Sequence, residues 1–504
     1  MIAARSRLLP VLLAVLAGPL SAQGSANVPL DDPHLPLVEF LIIRGSIQDP
    51  SPMHRPFRRA DLVASLERAD STPASDSTLV RTLLAQYRDL DATNRYAAGV
   101  RGGFQATTTD RYRDLMHPVG SGGIYPYADV LLEGVFGPVV AVSRPAIEPR
   151  VTDDPDWPGR TDLTVAGRMV EAYLGFQFKT WGRFWFGQFD QNWGPINFFA
   201  VPLSNFSYPR NYFGLDVGSK NVRLMAQVAK LRDETDSLGQ VISRYHFMHR
   251  LGIQFSPRWY AALWETTVWS GVGRGVEGTF INPAGLLLLS NQYGEGDNGN
   301  IIVGTDVSWR VAKRATIQLQ LALDDLQIQS IDDSTSYPNR WAFTITGFGA
   351  LGKRMSWQAL YSQASNLAFR TANPSDNFED AGVGLGRGFP DMDYLSLSVS
   401  IPVMNQWMIS PDAVFQRQGP SRITDPAPTD PDEIRDTPAF LSQPIEYGYR
   451  LGVVFSGRQG PFDIQGSGGL YHVTNEGNIV GASDTRFEGK IQALLRIGKR
   501  GPLK

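Results

Sequence analysis

Residues 316–324 read Thr-Ile-Gln-Leu-Gln-Leu-Ala-Leu-Asp (TIQLQLALD). Successive side chains of an extended chain point to opposite faces, so Ile317, Leu319, Leu321 and Leu323 share one side while Thr316, Gln318, Gln320 and Asp324 share the other. One face of this strand is oily and the other is wet. The same period of two sets Ala172, Leu174, Phe176 and Phe178 against Gly175 and Gln177. It sets Leu251, Ile253 and Phe255 against Arg250 and Gln254, and Leu395, Leu397, Val399 and Ile401 against Ser396, Ser398 and Ser400. Tyr449 and Leu451 likewise oppose Arg450, and Leu495 and Ile497 oppose Arg496. A soluble sandwich alternates in the same way, so the pattern alone leaves sandwich and membrane barrel both open.

Two features select the barrel. All 11 Trp fall at or after Trp157, mostly in or beside these strands, and aromatic rings with a polar edge collect where hydrocarbon meets headgroups. Connections also come in two sizes. Phe178 to Arg183 and Ser256 to Arg258 are short. Ile147 to Asp162, Ser290 to Asn300, Asp324 to Arg340, Ala372 to Asp393 and Gln418 to Gln443 are long and rich in Asp, Asn, Gly and Pro. Short turns on one rim and long loops on the other mark outer-membrane barrels. Residues 96–504, divided by the roughly 22–25 residues that a strand and its share of the connections occupy, hold about 16–18 strands. Single-chain bacterial barrels favour even numbers, and a closed antiparallel barrel of about 18 strands is expected.

The remaining composition narrows the class. The 504 residues carry 47 Lys and Arg against 50 Asp and Glu, with no basic block, which argues against a nucleic-acid partner. The absence of Cys excludes disulfides, thiolate metal sites and Cys nucleophiles. At the N-terminus Arg5 and Arg7 precede an apolar run, Leu8 to Leu20, and small residues follow, as in a cleavable secretory signal covering 1–26 with cleavage after Ala22 or Ala26. Residues 27–95 read as a small periplasmic helical element packed against or beneath the barrel. Pro36 to Ile43 is apolar, Leu62 and Leu66 lie four apart, and Leu79, Leu83, Tyr87 and Leu90 share a helical face. The barrel then occupies 96–504. The expected location is the outer membrane of a Gram-negative-type bacterium.

The order of these parts, with LPLVEFLIIRGSI (35–47) and RPFRRADLVASL (55–66) ahead of a long barrel, resembles the Wzi capsule-assembly family of outer-membrane proteins. So does GQFDQNWGPINFFAVPLSNFSYPRN (187–211), in which Trp193, Gly194, Pro195, Leu203, Ser204 and Pro209 carry the match. A second block is similar through Glu265, Asn282, Pro283, Asp297, Asn298, Gly304, Asp306, Asp324 and Asp325. The resemblance implies an 18-stranded barrel that holds or organises surface (capsular) polysaccharide by lectin-like contact. Its partners would be outer-membrane lipid, the polysaccharide and, during biogenesis, the barrel-assembly machinery.

Glycans are held by aromatic faces against sugar C–H surfaces and by amide, carboxylate or guanidinium groups that replace water at hydroxyls. Tyr293, Asp297, Asn298, Tyr337, Asn339, Arg340, Asn377, Phe378, Arg387 and Phe389 offer these groups within long connections, where each could equally be an ordinary loop residue. No catalytic constellation, cofactor motif or metal site is expected. His246 and His249, three apart on a strand, face opposite sides, and Gly273 to Gly278 fits a dinucleotide fingerprint only by letter, since Pro283 follows. The acidic groups Asp153, Asp154 and Asp156, Asp324 with Asp325, and Asp332 with Asp333 read as hydrated carboxylates before calcium ligands. The chain is thus expected not to be an enzyme. A porin-like channel for small solutes or sugars is the alternative to the polysaccharide-binding reading.

Overall fold

The computed structural model describes residues 23–503 except 72–75, 109–121, 156, 164, 180, 197–198, 290–298, 326–338 and 388. The segment before Gln23, which holds most of the expected signal, lies outside the described residues. Three helices come first: α1 (Leu35–Ile43), α2 (Arg59–Asp70) and α3 (Ser77–Tyr87). Six strands follow: β1 (Asn94–Thr107), β2 (Gly123–Phe136), β3 (Val139–Ile147), β4 (Gly167–Phe178), β5 (Gly182–Gln188) and β6 (Asn211–Gly218). The next six are β7 (Val222–Lys230), β8 (Val241–Ser256), β9 (Trp259–Val272), β10 (Gly299–Ala312), β11 (Ala315–Asp325) and β12 (Arg340–Leu351). The last six are β13 (Met355–Ala364), β14 (Met392–Val403), β15 (Trp407–Gln418), β16 (Glu446–Gln459), β17 (Phe462–Thr474) and β18 (Ser483–Pro502). Each strand pairs antiparallel with the next, and β18 returns to β1, with Gly498 opposite Gly99 and Pro502 opposite Arg95. The result is the expected closed 18-stranded barrel.

Burial shows which way the oily faces look. In β11, Gln318 and Gln320 are 2% and 0% exposed while their apolar neighbours Ile317, Leu319 and Leu321 are more open. Leu397 in β14 and Leu451 in β16 are 50% and 69% exposed, whereas Arg450 between strands β15 and β17 is buried. Polar inside and apolar outside is the inverse of a soluble sandwich and the requirement of a wall bathed in lipid.

All the short turns, from Gly137–Pro138 to Gly460–Pro461, lie at the end where β1 starts, and all the long connections lie at the other. The aromatic belt is narrower than the Trp positions suggest. Trp181, Trp259 and Trp309 stand exposed on the outer wall at the turn end, with the Trp259 and Trp309 rings stacked 4.8 Å apart. Trp185, Trp193 and Trp264 instead point into the lumen and are buried, because a lumen with solid contents offers rings an apolar interior.

The expected helices form, and they differ in how much of their surface they bury. α2 buries Leu62 and Leu66, and α3 buries Leu79, Leu83 and Tyr87 on one side. α1 is not amphipathic: all of its residues except Pro36 are buried, including Glu39. A helix apolar all round must be enclosed, and α1 is enclosed by α2, α3, Ile196 and the inward-facing Phe348 and Met408 of β12 and β15. Arg44 at its end donates to the carbonyls of Lys353 in the β12–β13 turn and of Met355 at the start of β13, at 2.8 Å each.

Two measurements follow from this arrangement. Leu397→Arg places a charge on the lipid face and is expected to lower bilayer-folding stability by ~2–4 kcal/mol in a urea titration. The second concerns processing. Gly24 N–H donates to Gly137 O at 2.7 Å and Ala26 O accepts from Arg59 N–H at 2.8 Å, with Ala26 itself buried. N-terminal sequencing of the mature protein is therefore expected to start at Gln23, after Ala22, and not at Asn27.

Candidate functional site: the filled lumen and its loop-end aromatic cluster

Inward-facing polar side chains need partners, and three parts of the chain supply them. The first is the N-terminal element, which reaches into the turn-end mouth. Asp31 pairs with Arg144 of β3 at 2.7 Å and with Arg101 of β1 at 3.3 Å. Asn27 N–H donates to the Tyr173 hydroxyl at 2.9 Å, Arg58 donates to Gln177 at 2.5 Å, and Ser456 donates to Pro33 O at 3.0 Å. Inside the element, Arg55 is clamped by Glu39 at 2.6 Å and Asp49 at 3.1 Å, with its guanidinium 4.0 Å from the Phe57 ring centre.

The second part is the segment 189–210, which turns inward above β5. Asn192 and Arg55 exchange backbone hydrogen bonds of 2.8 and 3.0 Å, joining it to the N-terminal element. Gln318 accepts from Ile196 N–H at 2.9 Å, and Gln320 accepts from Val201 N–H at 2.7 Å while donating to Trp193 O at 2.8 Å. The third part is the segment 365–391. Arg244 of β8 donates to the carbonyls of Ser375, Asn377 and Glu379 at 2.7–3.1 Å, and Ser270 of β9 donates to Asp376 at 2.7 Å. The two segments then meet backbone to backbone: a Cβ at Gly386 would sit 1.7 Å from Val201 O. A cavity of about 640 Å³ remains at the turn end between the N-terminal element and the wall, lined by charged groups that include Asp31, Arg101 and Glu171.

At the loop end the two inward segments create an aromatic–guanidinium cluster. The Arg387 guanidinium lies 4.4 Å from the Phe206 ring centre and 5.2 Å from that of Phe199. Phe389 meets Phe206 edge to face at 5.2 Å, and Phe199 stacks on Tyr394 at 4.8 Å. Two residues along from Phe206, Tyr208 donates to Asp154 at 2.6 Å and packs against Trp157 at 5.0 Å. Arg387, Phe389 and Trp157 are half-buried. Phe199 and Phe206 are buried, at 5% and 7% exposure, so the groups this cluster offers to a sugar are the Arg387 guanidinium and the Phe389 ring beside it.

The structure separates the sequence candidates into groups. Arg387 and Phe389 belong to this cluster, and Asn339 is exposed just ahead of β12. Arg340, Asn377 and Phe378 are buried. Asn377 donates to the carbonyls of Ile423 and Asp425 and accepts from Thr371 N–H, Phe378 packs on His246 and Phe369, and Arg340 donates to Arg370 O. These three hold the inward segment together, because a long connection that folds into a lumen needs its own polar and apolar core. Tyr293, Asp297, Asn298 and Tyr337 lie outside the described residues, as do Asp156, Asp332 and Asp333. Trp193, Leu203 and Ser204 are buried within the segment 189–210, beside Gly194 and Pro195, and Pro209 leads from it into β6. Phe199, Phe206, Trp157 and Tyr208 escaped the sequence reading, although NFFAVPLSNFSYP is dense in rings.

His246 and His249 face opposite sides of β8. His246 is held in the lumen by Tyr212 at 2.9 Å and Thr266 at 2.7 Å. His249 faces outward, 3.2 Å from Glu265, and is covered by the connection after β9, where Phe280 and Leu287 pack on Phe247 and Trp269. Leu286, Leu288 and Leu289 on that strap are exposed. A polar pair on an outer wall is thereby shielded beneath an apolar strap.

Burial raises the Asp31 carboxyl, but Arg144 and Arg101 outweigh it and hold Asp31 well below the usual carboxylate range. Burial, reinforced by Arg250 and Arg183, keeps His54 neutral well below its ordinary value. His54 packs 5.7 Å from Trp193, where the N-terminal element meets the inward segment.

These features define an outer-membrane-type β-barrel with an occupied lumen. Among solved structures, the chain is similar to Wzi, an outer-membrane protein involved in group 1 capsule assembly in Escherichia coli and described as a carbohydrate-binding β-barrel. The match has 15% identity, covers 94% of this chain and 99% of Wzi, and has a TM-score of 0.64. OprD from Pseudomonas aeruginosa aligns over 80% of this chain and 95% of its own, at 8% identity and a TM-score of 0.45. The sequence matches no family model and no curated protein.

Acid should loosen the N-terminal element in two stages. Below about pH 6.5 the unfolded chain binds a proton at His54 that the folded state refuses, so stability falls as pH drops through that value. Asp31 contributes stability that is fully present above its unfolded value of about 3.8 and is lost as pH falls through its lower folded value. Limited proteolysis across pH is expected to show both stages, and His54→Asn to shrink the first, to which His34, lowered by burial, also contributes, while keeping the second.

Proposed function

We propose that this protein is a non-conducting outer-membrane barrel that binds or organises surface polysaccharide through its loop end. The observation that carries the reading is the aromatic–guanidinium cluster of Phe199, Phe206, Arg387 and Phe389, built from two segments whose inward course also fills the lumen. A channel would spend those segments differently, leaving inward charges to water along an open path. The likeness to a carbohydrate-binding barrel supports the same reading. Contact with the polymer is by binding alone in this reading.

The long connections favour an uncharged polymer. Segment 419–445 carries Asp425, Asp430, Asp432, Glu433 and Asp436 against only Arg422 and Arg435, a surface that repels polyanions. The chain's working location is the outer membrane, with lipid around the wall and the barrel-assembly machinery as a transient partner in biogenesis.

The test joins binding to conductance. Arg387→Ala with Phe389→Ala removes a guanidinium and a ring face, and is expected to weaken glycan pull-down about 30-fold, equivalent to ~2 kcal/mol. Its migration difference between boiled and unboiled samples should stay unchanged. Unaltered glycan retention in the double variant, or a stable open current from the wild type in planar bilayers, would overturn the proposal.

A further inference from the structure

The eight short turns occupy 137–138, 179–181, 219–221, 257–258, 313–314, 352–354, 404–406 and 460–461. They contain Lys179, Lys220, Arg258, the pair Lys313 and Arg314, and the pair Lys353 and Arg354, with no Asp or Glu. All seven cations are exposed, and none forms an ion pair with a described residue. Cations without partners on short, tightly held turns are available to a ligand outside the chain. The opposite rim has the opposite excess, as the five carboxylates of 419–445 illustrate.

Depth identifies the ligand. Trp181 shares a turn with Lys179, Trp259 follows Arg258 directly, and Trp357 lies three residues after Arg354. Such rings sit where hydrocarbon meets headgroups, and each extended residue advances about 3.3 Å. The cations therefore project just past the aromatic belt, at the level of lipid phosphates. A free anion in the aqueous phase would need an enclosing pocket, whereas an arc of separate cations around a wall suits many headgroups at once.

We propose that the turn-end rim is a binding surface for anionic phospholipid, engaging the headgroup phosphates of the leaflet that the turns face. Each cation gains a few-fold in lipid preference near a negative surface, and the gain falls with salt. The rim thus adds an electrostatic hold at one leaflet and sets the barrel's height in the bilayer.

The full-length barrel, extracted in neutral detergent, would be mixed with equal amounts of phosphatidylglycerol and phosphatidylcholine, and retained lipid counted by native mass spectrometry. Phosphatidylglycerol is expected to be preferred at low salt, and Lys313→Gln, Arg314→Gln, Lys353→Gln and Arg354→Gln combined to reduce the preference at least tenfold. Arg435→Gln at the opposite rim should leave it unchanged. The migration shift on boiling verifies that each variant is folded. Equal retention of the two lipids by the wild type, or an undiminished preference in the quadruple variant, overturns the proposal. So does full displacement by inorganic phosphate, which would mark a site for the free anion, or rim-dependent binding to purified peptidoglycan without a lipid preference.

Discussion

The constraint on which the structure depends is closure. In hydrocarbon an unpaired backbone N–H or C=O costs several kcal/mol, so a sheet can cross a membrane only when its last strand pairs with its first. Here β18 meets β1 over Arg95 to Thr107. Closure divides every strand into an outer and an inner face, and lipid dictates that the outer one be apolar. The polar residues are then sent inward, where a wide ring holds more donors and acceptors than it can pair across its own wall.

That surplus explains the chain's less regular parts. Gln318 and Gln320 are fully enclosed, and each is met by backbone from 189–210. Arg244 is satisfied by three carbonyls of 365–391. At the turn end, Arg101 and Arg144 are met by Asp31. These three lumen cations are met by segments that have no strand of their own, whereas Arg250 and Arg450 pair with Asp306 and Asp412 of the wall itself. The same dependence makes docking of the N-terminal element sensitive to acid at His54 and Asp31.

How far this was readable beforehand differs between wall and contents. Period-two alternation in Thr316 to Asp324 is a local property, and the two sizes of connection orient the wall, so barrel, strand number and helix positions could be read directly. Which connections turn inward is not local. Nothing in the composition of 372–393 distinguishes Asn377, locked between Ile423 and Asp425, from Arg387, which reaches the loop end. Trp185 and Trp264 look like belt residues until the lumen is known to be filled. The rings of Phe199 and Phe206 were visible as part of a resemblance but not as a site, because their partners Arg387 and Phe389 lie some 180 residues away.

The inward course of 189–210 has a further cause in the wall itself. β5, β6 and β7 have only 7, 8 and 9 residues, against 14 in β1, β2 and β9. A strand of seven residues rises about 23 Å along its axis, and at a tilt near 40° spans roughly 18 Å of a ~25 Å apolar band. Over this arc the wall is too low to separate a polar lumen from lipid on its own. The segment that leaves β5 folds behind it, with its Trp193 and Leu203 packed among Tyr212, Met225 and Met248 of β6, β7 and β8. A low wall is thus backed from within by apolar side chains. This backing also holds Phe199 and Phe206 at the height where Arg387 and Phe389 complete the cluster, so the proposed sugar-binding surface and the seal of the barrel are one construction.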